Sequence, residues 1–324
     1  MLTTVTFEEV SEGTKLIINT KFASAQKLEQ SEAMGMIEGY SDALERFEHY
    51  SKTIIGGSMN TIISTDGTKI AYTKQGNGPA VILIASAAAD HSDGAQLAEY
   101  LAKEFTVYNY DRRGRGNSSD TLPYSVDREI EDIEALIGEA GGNANLFGSS
   151  SGAVLALDAA SKLGNKVTKL FIYEPPFIIN DSRPPVPNDY VQRLNELVGA
   201  GQRSEAGEYF MTVAVGVPDE FIGYMKADPS WAKMEAIAHT LAYDGQVMGT
   251  TQQGKPLPTD RWTINIPTIV MVGENSGPFF HDAAQALKEL LPHGDYQTLS
   301  GQDHSAVIMA ASELAGAITT FLKK

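Results

Sequence analysis

The sequence predicts an α/β protein: a mostly parallel sheet with helices on both faces, preceded by a small β-hairpin-and-helix appendage. Three observations predict this. From Thr61 onward, strand-like and helix-like stretches alternate, which is the pattern of parallel sheets with crossover helices. PAVILIA (79–85) and FTVYNYD (105–111) are largely apolar runs, as expected of strands covered on both sides. NLFGSSSGAVLAL (145–157) then joins a strand to a helix through a turn of glycine and serine.

Bulk properties narrow the function classes. A chain of 324 residues can bury a substantial core, and 42% apolar with 20% charged residues is ordinary for a soluble globular protein. The formal net charge of −16 argues against nucleic acid or an anionic membrane as partner, because phosphates need a basic footprint. The basic run Arg112-Arg113-Gly114-Arg115 is short and isolated, and does not alter that reading. With no cysteine there is no disulfide framework, thiolate metal site or cysteine nucleophile. MLTTVTFEEV lacks a basic and apolar leader, and no run reaches the roughly 18 apolar residues of a membrane span. The expected location is the cytoplasm.

At the N-terminus, VTFEEV and KLIINTKF flank the turn SEGT, a hairpin signal. From Gln26 to Tyr50, Met34, Ile37, Leu44 and Phe47 recur at helical spacing. One hairpin and one helix are too little for an independent core. The words VTFEEV, KFASAQ and MGMIEGYSDALERFEHY resemble the C-terminal part of a START-like (SRPBCC) domain, in the branch related to activators of the heat-shock-protein ATPase. The resemblance covers residues 1–57. Such a remnant lacks the rest of that family's cavity, so a packing or homodimerising role is expected, with the apolar helix face buried within the chain or across a dimer.

Residues 58–324 form the second domain. TIISTDGTKIAYTKQG reads as a hairpin turning at Asp66-Gly67. After PAVILIA and FTVYNYD come the helix REIEDIEALIGEA, the strand entering GSSSG, the helix AVLALDAASKLG and the strand VTKLFIYEPP. The alternation then stops for about residues 177–263, a helical insertion read as a lid, bearing Met211, Phe221, Tyr224, Met225, Met234 and Met248. It resumes with TIVMVGE, the helix DAAQALKELLP, the strand DYQTLSG and a last helix ending in FLKK.

Gly148-Ser149-Ser150-Ser151-Gly152 fits G-x-S-x-G between strand and helix. That turn is so tight that its central residue is strained, and glycines two residues to either side relieve the crowding. Their spacing selects Ser150 as nucleophile, and the Ser151 backbone N–H at the helix start as an oxyanion donor. A serine needs a base, and His304 follows the last strand in LSGQDHSAV, on a loop able to reach the end of the sheet. His49, His91, His239, His281 and His293 are read as structural or surface residues.

Through STDGTKIAY, YDRRGRGNS, GSSSG, PTIVMVGE and LSGQDHS, in that order, residues 59–324 resemble the α/β-hydrolase family. The resemblance implies an eight-stranded sheet, a lid after the sixth strand, and acyl transfer through a covalent serine ester. It implies a second oxyanion donor in IASAAADHS, the backbone N–H of Ala87, with Ala85-Ser86 replacing the usual His-Gly. The family's acid usually lies three residues past the glycine ending the seventh strand, where this chain has Ser276. Some members, haloalkane dehalogenases among them, place it at the end of the sixth strand, and Glu174 stands there. A carboxylate ending a buried strand is costly unless paired, and an imidazole would pair it. Glu274, Asp244 and Asp282 are its rivals.

The expected activity is therefore hydrolysis of a small, mainly apolar carboxylic ester, thioester or lactone. No cofactor is implied: close histidine spacing for a metal is lacking, and the turn at Gly76–Pro79 lacks the helix start of a phosphate loop. The alternative is a hydrolase-shaped ligand-binding or regulatory protein with little turnover, kept open by the displaced acid and the altered oxyanion loop.

Overall fold

The computed structural model describes residues 2–10, 13–33, 36, 37, 39–41, 44 and 59–324. The chain divides into two compact units, Met1–Gly56 and Gly57–Lys324.

In the first unit, β1 (Leu2–Val10) and β2 (Gly13–Lys21) form an antiparallel ladder that closes at Val10 opposite Gly13. The second strand begins at Gly13, inside the stretch SEGT; Ser11 and Glu12 of that stretch lie outside the described residues. Helix α1 (Ala25–Ala33) follows, and Ile37 and Leu44 are also helical. Met34 and Phe47 lie outside the described residues. The Tyr40 and Thr20 hydroxyls lie 3.2 Å apart, which ties the helical segment to the hairpin.

The second unit is an eight-stranded sheet. Its strands are β3 (Asn60–Ile63), β4 (Lys69–Gln75), β5 (Ala80–Ile84), β6 (Thr106–Tyr110), β7 (Ala144–Ser149), β8 (Val167–Tyr173), β9 (Thr268–Gly273) and β10 (Gly294–Leu299). They lie in the order β10-β9-β8-β7-β5-β6-β4-β3. β3 and β4 pair antiparallel, as do β4 and β6; every other pair is parallel.

The apolar runs have a direct explanation in this sheet. Within β5, Ile82 and Ile84 enter one buried cluster while Val81 and Leu83 enter another. In β8, Leu170 and Ile172 face the first cluster and Phe171 and Tyr173 the second. Period-two alternation places successive side chains on opposite faces, and here both faces are covered. Helices α3 (Val126–Glu139), α4 (Ser151–Leu163) and α10 (Pro278–Leu290) cover the first face. Helices α2 (Ala95–Leu101) and α11 (Ala311–Leu322) cover the second.

Between β8 and β9 the chain forms helices α5 (Tyr190–Gly199), α6 (Arg203–Tyr209), α7 (Asp219–Ala227), α8 (Trp231–Ile237) and α9 (Leu241–Met248). Helices α5, α6 and α9 share a small core with Tyr190, Leu194, Leu197, Ala206 and Leu241 at its centre, and Met234 of α8 packs against it. Among the described residues, no helix is long and apolar enough to cross a membrane.

The strand order reverses around β5. Its C-terminal end lies beside that of β7, since Ile84 is level with Gly148, and Ser149 of β7 is level with Tyr173 of β8. Ligands of open α/β sheets bind in the crevice beyond such a reversal. The loop holding Ala87, the turn holding Ser150 and the strand end holding Glu174 therefore arrive side by side.

Candidate active site

Ser150 sits at φ 56°, ψ −123°, between β7 and the first residue of α4. Its N–H donates to the Tyr173 carbonyl at 3.0 Å, which fixes the turn against β8. The two flanking glycines are there for space. A Cβ on Gly148 would lie 2.4 Å from the Gly152 carbonyl oxygen; one on Gly152 would lie 2.3 Å from that of Ile84. Backbone atoms cannot give way as a flexible side chain can, so neither position tolerates a side chain.

Among the described residues, three non-glycine residues have positive φ: Ala88, Ser150 and Glu174. Ser150 and Glu174 directly follow β7 and β8, and Ala88 lies in the loop after β5. Such conformations cost about 1–3 kcal/mol each and persist where the surroundings over-determine them.

Glu174 is fully buried. Its Oε2 lies 2.7 Å from Nδ1 of His304. Its Oε1 accepts from the Gly273 N–H at 2.7 Å and the Ser276 hydroxyl at 2.5 Å. An ionised carboxylate only accepts, so this contact places the His304 proton on Nδ1 and leaves the Nε2 lone pair free. Ser276, standing where a carboxylate was expected from the family pattern, thus donates to the carboxylate that reaches in from β8. The Phe280 ring stacks on His304, with centroids 4.7 Å apart.

The other carboxylates considered from sequence are engaged elsewhere. Glu274 holds the Ser300 hydroxyl and the Gly301 N–H, and Asp282 accepts from Asn180. Asp244 is near His304 only in sharing a cavity wall; its own oxygens are taken by Ser151, Arg112 and Arg115.

A cavity of about 220 Å³, somewhat below the usual size of a ligand site, brings Ser150, Ser151, Ala87 and His304 together. Of the insertion residues singled out from sequence, Met248 lines it. Phe221 and Tyr224 are exposed, and Met234 packs inside the insertion. The aromatic lining comes instead from Tyr190, Phe210, Phe279 and Phe280.

The cavity-lining Asp244 is held by part of the basic run noted in the sequence. Arg112, Arg113 and Arg115 are buried, each about 1% exposed, and none is a surface cation. Arg112 grips Glu129 through Nε at 2.8 Å and Nη2 at 2.7 Å, and donates through Nη1 to Asp244 at 2.8 Å. Arg115 donates through Nη2 to the other Asp244 oxygen at 2.6 Å and through Nη1 to the Ser86 carbonyl at 2.7 Å. Ser151 Oγ donates to Asp244 Oδ1 at 2.8 Å. One carboxylate of α9 therefore ties together the loop before Ala87 and the residue after Ser150. Burial works against both guanidinium charges. Glu129 and Asp244 outweigh it at Arg112, whose pKa is raised, whereas at Arg115 burial and the Arg112 charge hold the pKa below its ordinary value.

Beside this network, Asp90, His91 and Asp111 bring their ligand atoms within 4.8 Å of one another. Those atoms are engaged: Asp111 Oδ1 takes the His91 N–H at 2.8 Å and Nδ1 at 2.7 Å, and Lys233 Nζ lies 3.2 Å from Asp90. The cluster is an ion-pair net with lysine as one of its cations. The hydrogen bond to Asp111 raises the His91 pKa, against the opposing effect of burial. A raised folded-state value contributes stability that is complete below the unfolded pKa of about 6.5 and is lost as pH rises through the folded value. The melting-temperature gap between wild type and His91→Gln is therefore expected to be widest in mild acid and to narrow above neutrality. Melting curves across that range check this; a gap independent of pH would count against the pairing.

Fold and site together define a hydrolase of the α/β type. The comparisons with known proteins agree, since a model of the alpha/beta hydrolase family matches residues 81–317. The chain belongs to that family. An α/β hydrolase of known structure from Sphaerobacter thermophilus is 47% identical, with a TM-score of 0.74, covering 81% of this chain and all of that one. The uncharacterized hydrolase YraK of Bacillus subtilis is 32% identical over 120 residues, 36% of this chain and 44% of its own length. N-formylmaleamate deformylase of Pseudomonas putida is 32% identical over 130 residues, 39% of this chain and 47% of its own. The chain thus spans less than half the length of these two curated relatives. The family match begins at Val81, so the START-like reading of residues 1–57 rests on their sequence alone.

Proposed function

We propose that this protein is a serine hydrolase that cleaves a small carboxylic ester, thioester or lactone through an acyl-enzyme. In this reading residues 58–324 are the catalytic domain, helices α5–α9 are its lid, and residues 1–57 are a packing or dimerising appendage. The observation that carries the reading is the Glu174–His304 contact at 2.7 Å, in one crevice with a serine held at positive φ.

The chemistry follows from those positions. Ser150 Oγ attacks the carbonyl carbon while His304 Nε2 takes its proton. The backbone N–H groups of Ser151 and Ala87 donate to the oxyanion, and a single such donor is typically worth about 2.7–4 kcal/mol of barrier. His304 then protonates the departing alkoxide or thiolate, and the acyl group stays on Ser150. In the second half His304 takes a proton from water as it attacks the acyl carbon, and returns that proton to Ser150. Glu174 holds the imidazole orientation and stabilises its positive charge. The relative named as a deformylase supports acyl transfer to water as the reaction class.

A serine-directed fluorophosphonate tests this reading. Labelling is expected at Ser150 alone, by peptide mass mapping, and is expected to vanish in Ser150→Ala. A folded wild type that takes no label would sink the nucleophile and favour a ligand-binding role for the cavity.

A further inference from the structure

Besides Tyr190, the ionisable side chains that line the cavity are Asp244, His304 and Arg183. Asp244 is neutralised by Arg112 and Arg115, and His304 is paired with Glu174. Arg183 differs from them. It stands in the loop between β8 and α5, and among the described residues no carboxylate pairs with it. Its Nη2 donates to the Ala214 carbonyl at 3.0 Å, and its guanidinium lies over the Phe279 ring, 4.9 Å from the centroid. A guanidinium has five N–H donors, so one carbonyl leaves most of them open. Burial, with no opposing anion, lowers its pKa below the ordinary value. In a protein of net charge −16, an unpaired, half-buried cation on the wall of a mainly apolar cavity stands out as a binding group.

We propose that Arg183 anchors a substrate carboxylate, so that the cleaved compound is a short carboxylate-bearing ester, such as the half-ester of a dicarboxylic acid. This rests on the hydrolase reading above and names its substrate class. A carboxylate accepts two parallel N–H bonds from a guanidinium, a geometry that fixes orientation as well as affinity. Phe279 adjoins Phe280 at 4.0 Å, and Phe280 stacks on His304. The cation and the proposed base therefore share one aromatic wall, with two rings between them. A short hydrocarbon spacer between carboxylate and scissile carbonyl fits such a wall, and the cavity size keeps it short. The selected substrate is apolar in its middle and anionic at one end.

Monoethyl glutarate and its neutral counterpart ethyl pentanoate differ by a carboxylate against a methyl group. Wild type is expected to favour the half-ester in kcat/KM by about tenfold or more. Arg183→Met is expected to cut that preference by about tenfold, mostly through KM, and Arg183→Lys to restore part of it. A wild type that prefers ethyl pentanoate, or an Arg183→Met protein that keeps the wild-type preference, overturns the proposal. Should Arg183→Met fail to fold by its melting curve, Arg183→Lys must still reduce the preference by about threefold. Calorimetry separates this inference from the hydrolase reading, because it needs no turnover. Monoethyl glutarate is expected to bind Ser150→Ala, and to bind Ser150→Ala/Arg183→Met about tenfold more weakly. Binding that depends on Arg183, in a protein that cleaves neither ester, would uphold the anchor and sink the hydrolase reading. Ester cleavage with no Arg183-dependent binding would sink the anchor alone.

Discussion

Glu174→Gln is expected to lower kcat by on the order of 10⁴-fold while leaving the melting temperature near that of wild type. The size comes from the tautomer. Two donors, the Gly273 N–H and the Ser276 hydroxyl, converge on Oε1. In the glutamine variant the amide oxygen must stay with them, which turns the amide NH₂ towards His304 Nδ1. Nδ1 can then only accept, the ring proton moves to Nε2, and Nε2 can no longer take the Ser150 proton. Steady-state ester turnover and the rate of fluorophosphonate labelling check this together. Glu274→Gln and Asp282→Asn, whose carboxylates serve Ser300, Gly301 and Asn180, are expected to change kcat by less than about twofold. A Glu174→Gln protein with wild-type turnover would mean that His304 is oriented by another group.

The parts of this molecule that the sequence discloses are those fixed by local constraints. Gly148 and Gly152 reveal Ser150 because each glycine fills a space that no Cβ can enter, and the spacing of the three is set within one turn. The strand β5 and the Leu170–Tyr173 part of β8 are legible because burial on both faces leaves an unbroken apolar run. Glu174 becomes a candidate through the resemblance to members with an acid at the end of the sixth strand, and because a carboxylate ending such a strand needs a partner; His304 provides one. The partnership of Arg112 and Arg115 with Asp244 left no comparable trace. It joins residues about 130 positions apart, and neither end has a local pattern that calls for the other. In sequence the basic run is therefore only short and isolated, and Asp244 only a rival acid. The cavity lining was hidden for the same reason: Phe279 and Phe280 come from the start of α10, outside the insertion whose methionines and aromatics drew attention.

That long-range network carries the second large effect. Asp244→Ala is expected to destabilise the protein by about 3–5 kcal/mol, lowering the melting temperature by on the order of 10 °C. Arg112 retains its two bonds to Glu129, but Arg115 loses its one carboxylate and keeps only the Thr240 hydroxyl and the Ser86 and Ala89 carbonyls. The cost arises from the charge left behind, so removing that charge should recover stability. Asp244→Leu/Arg115→Met is expected to melt above Asp244→Leu alone, because well-packed apolar groups replace a buried ion pair at little net cost. Activity should follow a different course. Arg115 holds the Ser86 carbonyl beside Ala87, and Asp244 holds Ser151, so the double variant restores the packing without restoring either anchor of the proposed oxyanion donors. Thermal melts and kcat measured on the same three proteins separate the two effects. Recovery of stability with kcat still depressed would assign the network to positioning as well as to folding. Recovery of both would make it a folding element only, and a double variant no more stable than the single one would show that the cost lies in lost packing and not in the stranded Arg115 charge.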